Sequence, residues 1–248
     1  MKVTITNRLI ALISTVFAVT SATTITAPAH AAPCPDVQVV FARGTFEPPG
    51  IGATGQAFVD ALTAKAPNKT IAVYPVDYPA SIDFATAADG VIDASNKVQG
   101  TAATCPATKI VIGGYSQGAA VAAYLTEDAV AQGFTLPPGL TGPMPASVAD
   151  HVAAVALFGK PSSGFLQQIY SGAPPITVGP RYGSKTTEQC IQDDPVCSPA
   201  GGNNSAHSMY IADGLTDQAA DFVVKKLPRG GSGGHPAPPD NLTPPEQP

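Results

Sequence analysis

The sequence predicts an α/β protein built on one doubly wound parallel sheet. Three observations predict it: short β-branched runs that are apolar throughout, Ala-rich segments of helical length, and alternation of the two along the chain. The apolar runs are Val37–Ala42, residues 70–76, residues 109–113 and Val152–Phe158. Strands covered on both faces read as continuous apolar runs rather than as alternation, which favours a parallel sheet. Segments 55–66, 83–104 and 116–128 lie between them and are rich in Ala, the best helix former. Strand–helix alternation then makes these segments the crossovers. A last helix is expected over 216–227, because Leu215, Ala219, Val223 and Leu227 fall on one face. With 248 residues, the chain suffices for one such domain around a single buried core.

The ends read differently from the middle. Lys2 and Arg8 precede an apolar run at 9–19, and Ala29-His30-Ala31 closes the segment. That is the pattern of a secretory signal peptide over residues 1–31, exported and then removed. The run is too short to span a bilayer, so no transmembrane anchor is expected. The folded domain should occupy 32–228. Residues 229–248 are Gly/Pro-rich and read as a disordered tail. Residues 129–147, also rich in Pro and Gly, read as a long surface loop.

Composition excludes some partners. The net charge of -5 argues against nucleic acid. With no Trp and 6% aromatics, stacking platforms for bases or sugars are not expected. Four cysteines in an exported chain imply two disulfides, with three possible connectivities. Cys190 and Cys197 are close enough to close a small loop, which would leave Cys34 to join Cys105. No C-x-x-C spacing or nearby His pair points to a metal.

Gly114-Tyr115-Ser116-Gln117-Gly118 follows the run at 109–113 directly and opens an Ala-rich segment. G-x-S-x-G between a strand and a helix is the setting of a nucleophilic serine on a sharp turn. Small flanking residues are needed because a Cβ would collide with the neighbouring helix and strand. The helix N-terminus adds positive potential at the hydroxyl. Such a serine needs a base. Of four histidines, His30 leaves with the signal peptide, His235 sits in the tail, and His151 precedes its strand at the sheet's amino end. His207 remains, in a Gly/Asn/Ser-rich loop before the final helix. An acid is expected between serine and histidine in this chain order. Asp193 and Asp194 both lie in the loop between Cys190 and Cys197, and spacing alone does not separate them.

Gly50-Ile51-Gly52-Ala53-Thr54-Gly55 spells G-x-G-x-x-G, with Asp77 after the next apolar run. A dinucleotide site would start its glycines where the strand ends. Here residues 43–49 intervene, so this reading fails on register.

Together these pieces resemble the cutinase family, especially the cutinase-like esterases secreted by actinobacteria. The resemblance spans Cys34 to Leu227. It rests on V-V-F-A-R-G-T at the first strand, G-G-Y-S-Q-G-A at the turn, C-x3-D-x2-C, and a His ten residues after that last Cys. It implies a minimal α/β-hydrolase fold: a five-stranded parallel sheet flanked by helices, with no full lid. By the same resemblance Ser116 is the nucleophile, Asp194 the acid and His207 the base. Gln117 supplies one N–H to an oxyanion hole, and Thr45 a second N–H with its hydroxyl. Cysteines pair as Cys34–Cys105 and Cys190–Cys197. The expected activity is hydrolysis of short- to medium-chain carboxylic esters, small or lipid-like, by a monomer without cofactor or metal. Fungal cutinases carry an apolar binding loop before the catalytic His. Here residues 199–206 read PAGGNNSA, so action on insoluble cutin is not expected. Met144 and Phe134 in the 129–147 loop are candidates for acyl contact. The competing expectations are lipase, phospholipase or acetylxylan-esterase activity on the same triad, and a fold retained for binding at a surface without catalysis.

Overall fold

The computed structural model of the protein describes residues 33–133 and 135–228. The expected signal peptide, the expected tail and Phe134 lie outside the described residues. The domain alternates strands and helices in the order β1 (Val37–Ala42), α1 (Gly52–Lys65), β2 (Ile71–Pro75), α2 (Ala87–Thr104), β3 (Lys109–Tyr115) and α3 (Gln117–Tyr124). It continues through β4 (Val152–Phe158), α4 (Ser163–Ile169), α5 (Pro180–Gly183), β5 (Thr186–Gln189) and α6 (Leu215–Lys226). All strand pairings are parallel, in the order β2-β1-β3-β4-β5.

Alternation along the strands sorts the core into two halves. Val40 and Ala42 of β1, Ile110 and Ile112 of β3, and Val155 and Leu157 of β4 share a cluster with Ala94 and Val98 of α2 and with α3. Val39 and Phe41, Val111, Ala156 and Phe158 share the other with Phe58 and Leu62 of α1 and with Ala219 and Val223 of α6. Leu227 joins that second cluster while Leu215 packs at its margin, so the expected face of the last helix is the buried one. From β1 the chain turns first to β2 and then returns past β1 to β3. The strand order therefore reverses between β1 and β3. Open α/β sheets bind ligands at the carboxyl end of such a switch point.

The structure departs from the sequence reading in identifiable places. The fifth strand, Thr186-Thr187-Glu188-Gln189, is polar and only partly buried at the sheet's edge, so a search for apolar runs passes over it. Helix α4 is likewise absent from the alternation read from the sequence. The segment expected as a helix to residue 128 stops at Tyr124. There the Thr126 N–H and hydroxyl both donate to Ala123 O, at 2.9 and 2.6 Å, tightening the end of the helix. Before α2, Phe84–Thr86 form a 3-10 turn rather than α-helix.

Candidate active site

Strand β3 ends at Tyr115 and α3 begins at Gln117, so Ser116 alone makes the turn. Its φ of 55° and ψ of -119° lie where a side chain costs energy, so the surroundings must impose the conformation. The Ser116 N–H donates to Phe158 O at 2.8 Å, and Ser116 O accepts from the N–H groups of Ala119 and Ala120 at 2.9 and 3.2 Å. Backbone closeness supplies the rest. A Cβ on Gly114 would lie 2.0 Å from Gly118 O, and one on Gly118 would lie 2.0 Å from Ala42 O. The two glycines of the motif are therefore steric requirements: strand β1, strand β3 and helix α3 touch through bare backbone.

His207 lies in a 3-10 turn, Asn204–Ser208, before α6. Its Nε2 is 2.8 Å from Ser116 Oγ, and its Nδ1 is 2.8 Å from Asp194 Oδ2. Asp194 is fully buried, and its Oδ1 accepts from the Val196 N–H at 2.8 Å. Hydroxyl, imidazole and carboxylate thus form one hydrogen-bonded line. Asp193, left open by spacing, points elsewhere: its Oδ1 accepts from the Gly202 N–H at 3.0 Å, and its carbonyl from the Asn203 N–H at 3.0 Å. It pins the following loop. Both expected disulfides are closed, Cys34–Cys105 and Cys190–Cys197, and the Cys197 sulfur lies 3.5 Å from Asp194 Oδ2.

Thr45 and Gln117 occupy the two sides of the switch point. Gln117 is the first residue of α3, and a helix start leaves its N–H without an intrahelical acceptor. Its side chain donates to Ser81 O at 2.9 Å. Thr45 lies in the turn after β1, whose last residue pairs with Gly114. That turn is anchored by Arg43, which is buried and donates to Glu47 O at 2.8 Å and Tyr78 O at 2.6 Å. The Glu47 carboxylate accepts from the N–H groups of Gly44 and Ala53 at 2.6 and 2.8 Å. This settles the glycine-rich stretch that follows. A Cβ on Gly52 would lie 2.1 Å from Glu47 Oε2, so the start of α1 is occupied by the chain's own carboxylate where a cofactor phosphate would need to sit.

A family model described as Cutinase matches residues 33–227. The chain belongs to the cutinase family. It is 47% identical over 220 residues to the carboxylesterase Culp1 of Mycobacterium tuberculosis, covering 88% of this chain and 94% of that protein. It is 46% identical over 227 residues to the phospholipase Culp4 of the same organism, covering 89% and 92%. Among solved structures it resembles a Trichoderma reesei cutinase in complex with a phosphonate inhibitor. That likeness has a TM-score of 0.59 and 31% identity, and covers 79% of this chain and 78% of the other.

In this cutinase-family domain two further residues frame the histidine, and the sequence reading gives neither a role. The Tyr115 ring stacks on the imidazole, with centroids 5.1 Å apart, and its hydroxyl donates to His207 O at 2.6 Å. Tyr210, also buried, donates its hydroxyl to Asp194 Oδ2 at 2.6 Å and meets the imidazole edge-on. Burial first, and the bond to Asp194 second, push the Tyr210 phenol well above the usual tyrosine range. Burial does the same for Tyr115. Both therefore stay protonated donors. A signal for them existed in position alone: Tyr115 adjoins Ser116 and Tyr210 is three residues past His207. The candidate Met144 packs against the core on the α2 and α3 side. Among the described residues no group of three or more His, Cys, Asp or Glu is arranged to hold a metal, and no helix is long and apolar enough to cross a membrane.

Proposed function

We propose that this protein is a secreted serine esterase that hydrolyses short- to medium-chain carboxylic esters through an acyl-enzyme on Ser116. The observation that carries this reading is the unbroken line from Ser116 Oγ through His207 to the buried Asp194, with both links at 2.8 Å. Asp194 fixes the imidazole tautomer with the proton on Nδ1, which leaves Nε2 free to accept. As Oγ attacks the ester carbonyl, its proton passes to Nε2 and a C–O bond forms. The carbonyl oxygen takes negative charge, held by the N–H groups of Gln117 and Thr45 and by the Thr45 hydroxyl. Collapse breaks the bond to the leaving alcohol, which departs with the proton from Nε2. Water then repeats the sequence, its proton going to His207, and releases the acid.

The names of the relatives, carboxylesterase and phospholipase, support carboxylic esters with lipid-like acyl groups as the substrate class. Exposed Phe46, beside Thr45, and exposed Ile82, beside the Ser81 carbonyl that Gln117 holds, support an apolar substrate. A fluorophosphonate probe should label Ser116 in the folded protein, and p-nitrophenyl butyrate should turn over. Ser116→Ala should abolish labelling and cost at least about a thousand-fold in rate. A folded protein whose Ser116 stays inert would replace catalysis with a binding role. Export is supported by the segment 1–31 and by two disulfides, which persist in oxidising compartments. N-terminal sequencing of protein recovered from culture medium should begin near Ala32; an intact Met1 would overturn it.

A further inference from the structure

The two donors proposed for the oxyanion have unequal support. The Gln117 N–H opens α3, whereas Thr45 lies beyond the last paired residue of β1, Ala42 opposite Gly114. No strand pairing therefore reaches Thr45. We propose that the side-chain amide of Gln117 is a positioning group: through residues 80–81 it keeps the turn at Thr45 aligned with the N–H of Gln117 itself. The proposal rests on the esterase reading and adds what holds its two oxyanion donors together.

A closed path of bonds is the first argument. Gln117 Nε2 donates to Ser81 O at 2.9 Å. The preceding carbonyl, Ala80 O, accepts from the Phe46 N–H at 2.8 Å, and Phe46 directly follows Thr45. Two hydrogen bonds thus join the residue after Ser116 to the residue after Thr45. The second argument is strain. Among the described residues, three other than glycine take a positive φ: Phe46 at 65°, Ala80 at 50° and Ser116 at 55°. Phe46 and Ala80 are the two partners of one hydrogen bond. A left-handed backbone in residues that carry a Cβ persists only where the surroundings impose it. Strain at both ends of that bond marks it as the constraint. The amide itself gives the third argument. Gln117 is fully buried, and its Oε1 has no hydrogen-bond partner among the described residues. An unpaired buried acceptor is unfavourable, so an apolar side chain of similar size would serve the fold equally well. What the amide contributes is the bond to Ser81. Arg43 holds the other side of the turn, through Glu47 O and Tyr78 O. Loss of the amide should therefore shift Thr45 without unfolding its loop.

Gln117→Leu keeps the backbone N–H and removes the link to Ser81. Its kcat and kcat/KM on p-nitrophenyl butyrate should fall about ten- to hundredfold, with KM within about twofold of wild type. Its thermal midpoint should stay within about 3 °C. Butylboronic acid supplies the second readout. Ser116 Oγ adds to boron, its proton passes to His207 Nε2, and a hydroxyl of the resulting tetrahedral anion occupies the oxyanion position. As for any such analogue, its Ki should rise by the factor by which kcat/KM falls. Should Gln117→Leu fail to fold, Gln117→Met, unbranched like glutamine, carries the test. Failure of both to fold would assign the amide to the fold and overturn the proposal. Wild-type kcat/KM and Ki in a folded variant would also overturn it. So would lost activity with an unchanged Ki, or with a midpoint lowered beyond that range. Wild-type protein that neither turns over the ester nor binds the boronate would overturn the esterase reading itself, and this proposal with it.

Discussion

Ser116 and His207 meet at 2.8 Å, yet the two halves of the site are held by different means. Ser116 is fixed by backbone against backbone, with Gly114, Gly118 and Ala42 so close that no side chain fits between them. His207 and Asp194 lie in a segment with little regular structure between β5 and α6. There the Cys190–Cys197 bond, the Asp193 tether and the hydroxyls of Tyr115 and Tyr210 do the holding. A rigid scaffold tolerates almost no change of shape. A tethered loop tolerates shape changes but depends on each polar link. Substitutions on the two sides should therefore fail in different ways.

The largest effect belongs to the loop. Asp194→Asn should lower kcat on p-nitrophenyl butyrate by about ten-thousand-fold with little change in melting temperature, because the amide favours the wrong imidazole tautomer. Asp193→Asn keeps an oxygen for the Gly202 N–H and should stay within a few-fold of wild type. Equal losses for the two would break the distinction drawn from their hydrogen bonds. On the scaffold side, Gly118→Ala drives a methyl group into the Ala42 carbonyl. It should lower stability by about 1–3 kcal/mol and, by displacing Ser116, cost about a hundred-fold in kcat. Thermal unfolding read beside turnover checks it. A variant with native stability and rate would show that the close packing is not needed.

The two disulfides sharpen the contrast because they rank oppositely in stability and in activity. The loop closed by Cys34–Cys105 spans 71 positions and that by Cys190–Cys197 spans 7. Loop-closure entropy makes the first worth about 4 kcal/mol and the second about 2 kcal/mol. Replacing Cys34 and Cys105 by Ser should therefore lower the denaturation midpoint more, while the surviving folded protein keeps its kcat. Replacing Cys190 and Cys197 by Ser should lower the midpoint less but reduce kcat several-fold, since the second bond lies against Asp194. The opposite ranking in kcat would mean that the short disulfide does not position Asp194.

The same division explains what was legible in the sequence. Backbone packing leaves a local record, so the glycines around Ser116, the four apolar strands and the helices between them could be read directly. The tethered side left less. His207 was reached by elimination, and Asp194 was separated from Asp193 by family resemblance, because their difference is a matter of direction and neighbouring aspartates point opposite ways. Tyr115 and Tyr210 have no role in the sequence reading because an aromatic at such positions reads as core until the hydroxyl's partner is known. The edge strand β5 escaped for a related reason: the Thr-Thr-Glu-Gln segment is defined by pairing with β4, not by its own pattern.

The finest test of the tethered side is Tyr210→Phe, which keeps the ring against Phe158 and His207 and removes only the hydroxyl. In the native protein Asp194 Oδ2 divides its charge between two donors, the imidazole at 2.8 Å and the phenol at 2.6 Å. Without the phenol the carboxylate loses one of these two donors and is held less firmly against His207, so kcat/KM should fall roughly three- to tenfold. In wild type the phenol is held above its ordinary range, chiefly by burial. Its bond should accordingly survive as pH rises through about 10, where an exposed tyrosine ionises, and the alkaline side of the plateau should stay level there. If kcat/KM of the variant equals that of wild type, Tyr210 is packing alone. A loss of that size, with the wild-type alkaline plateau level, makes it a residue that positions Asp194 against His207.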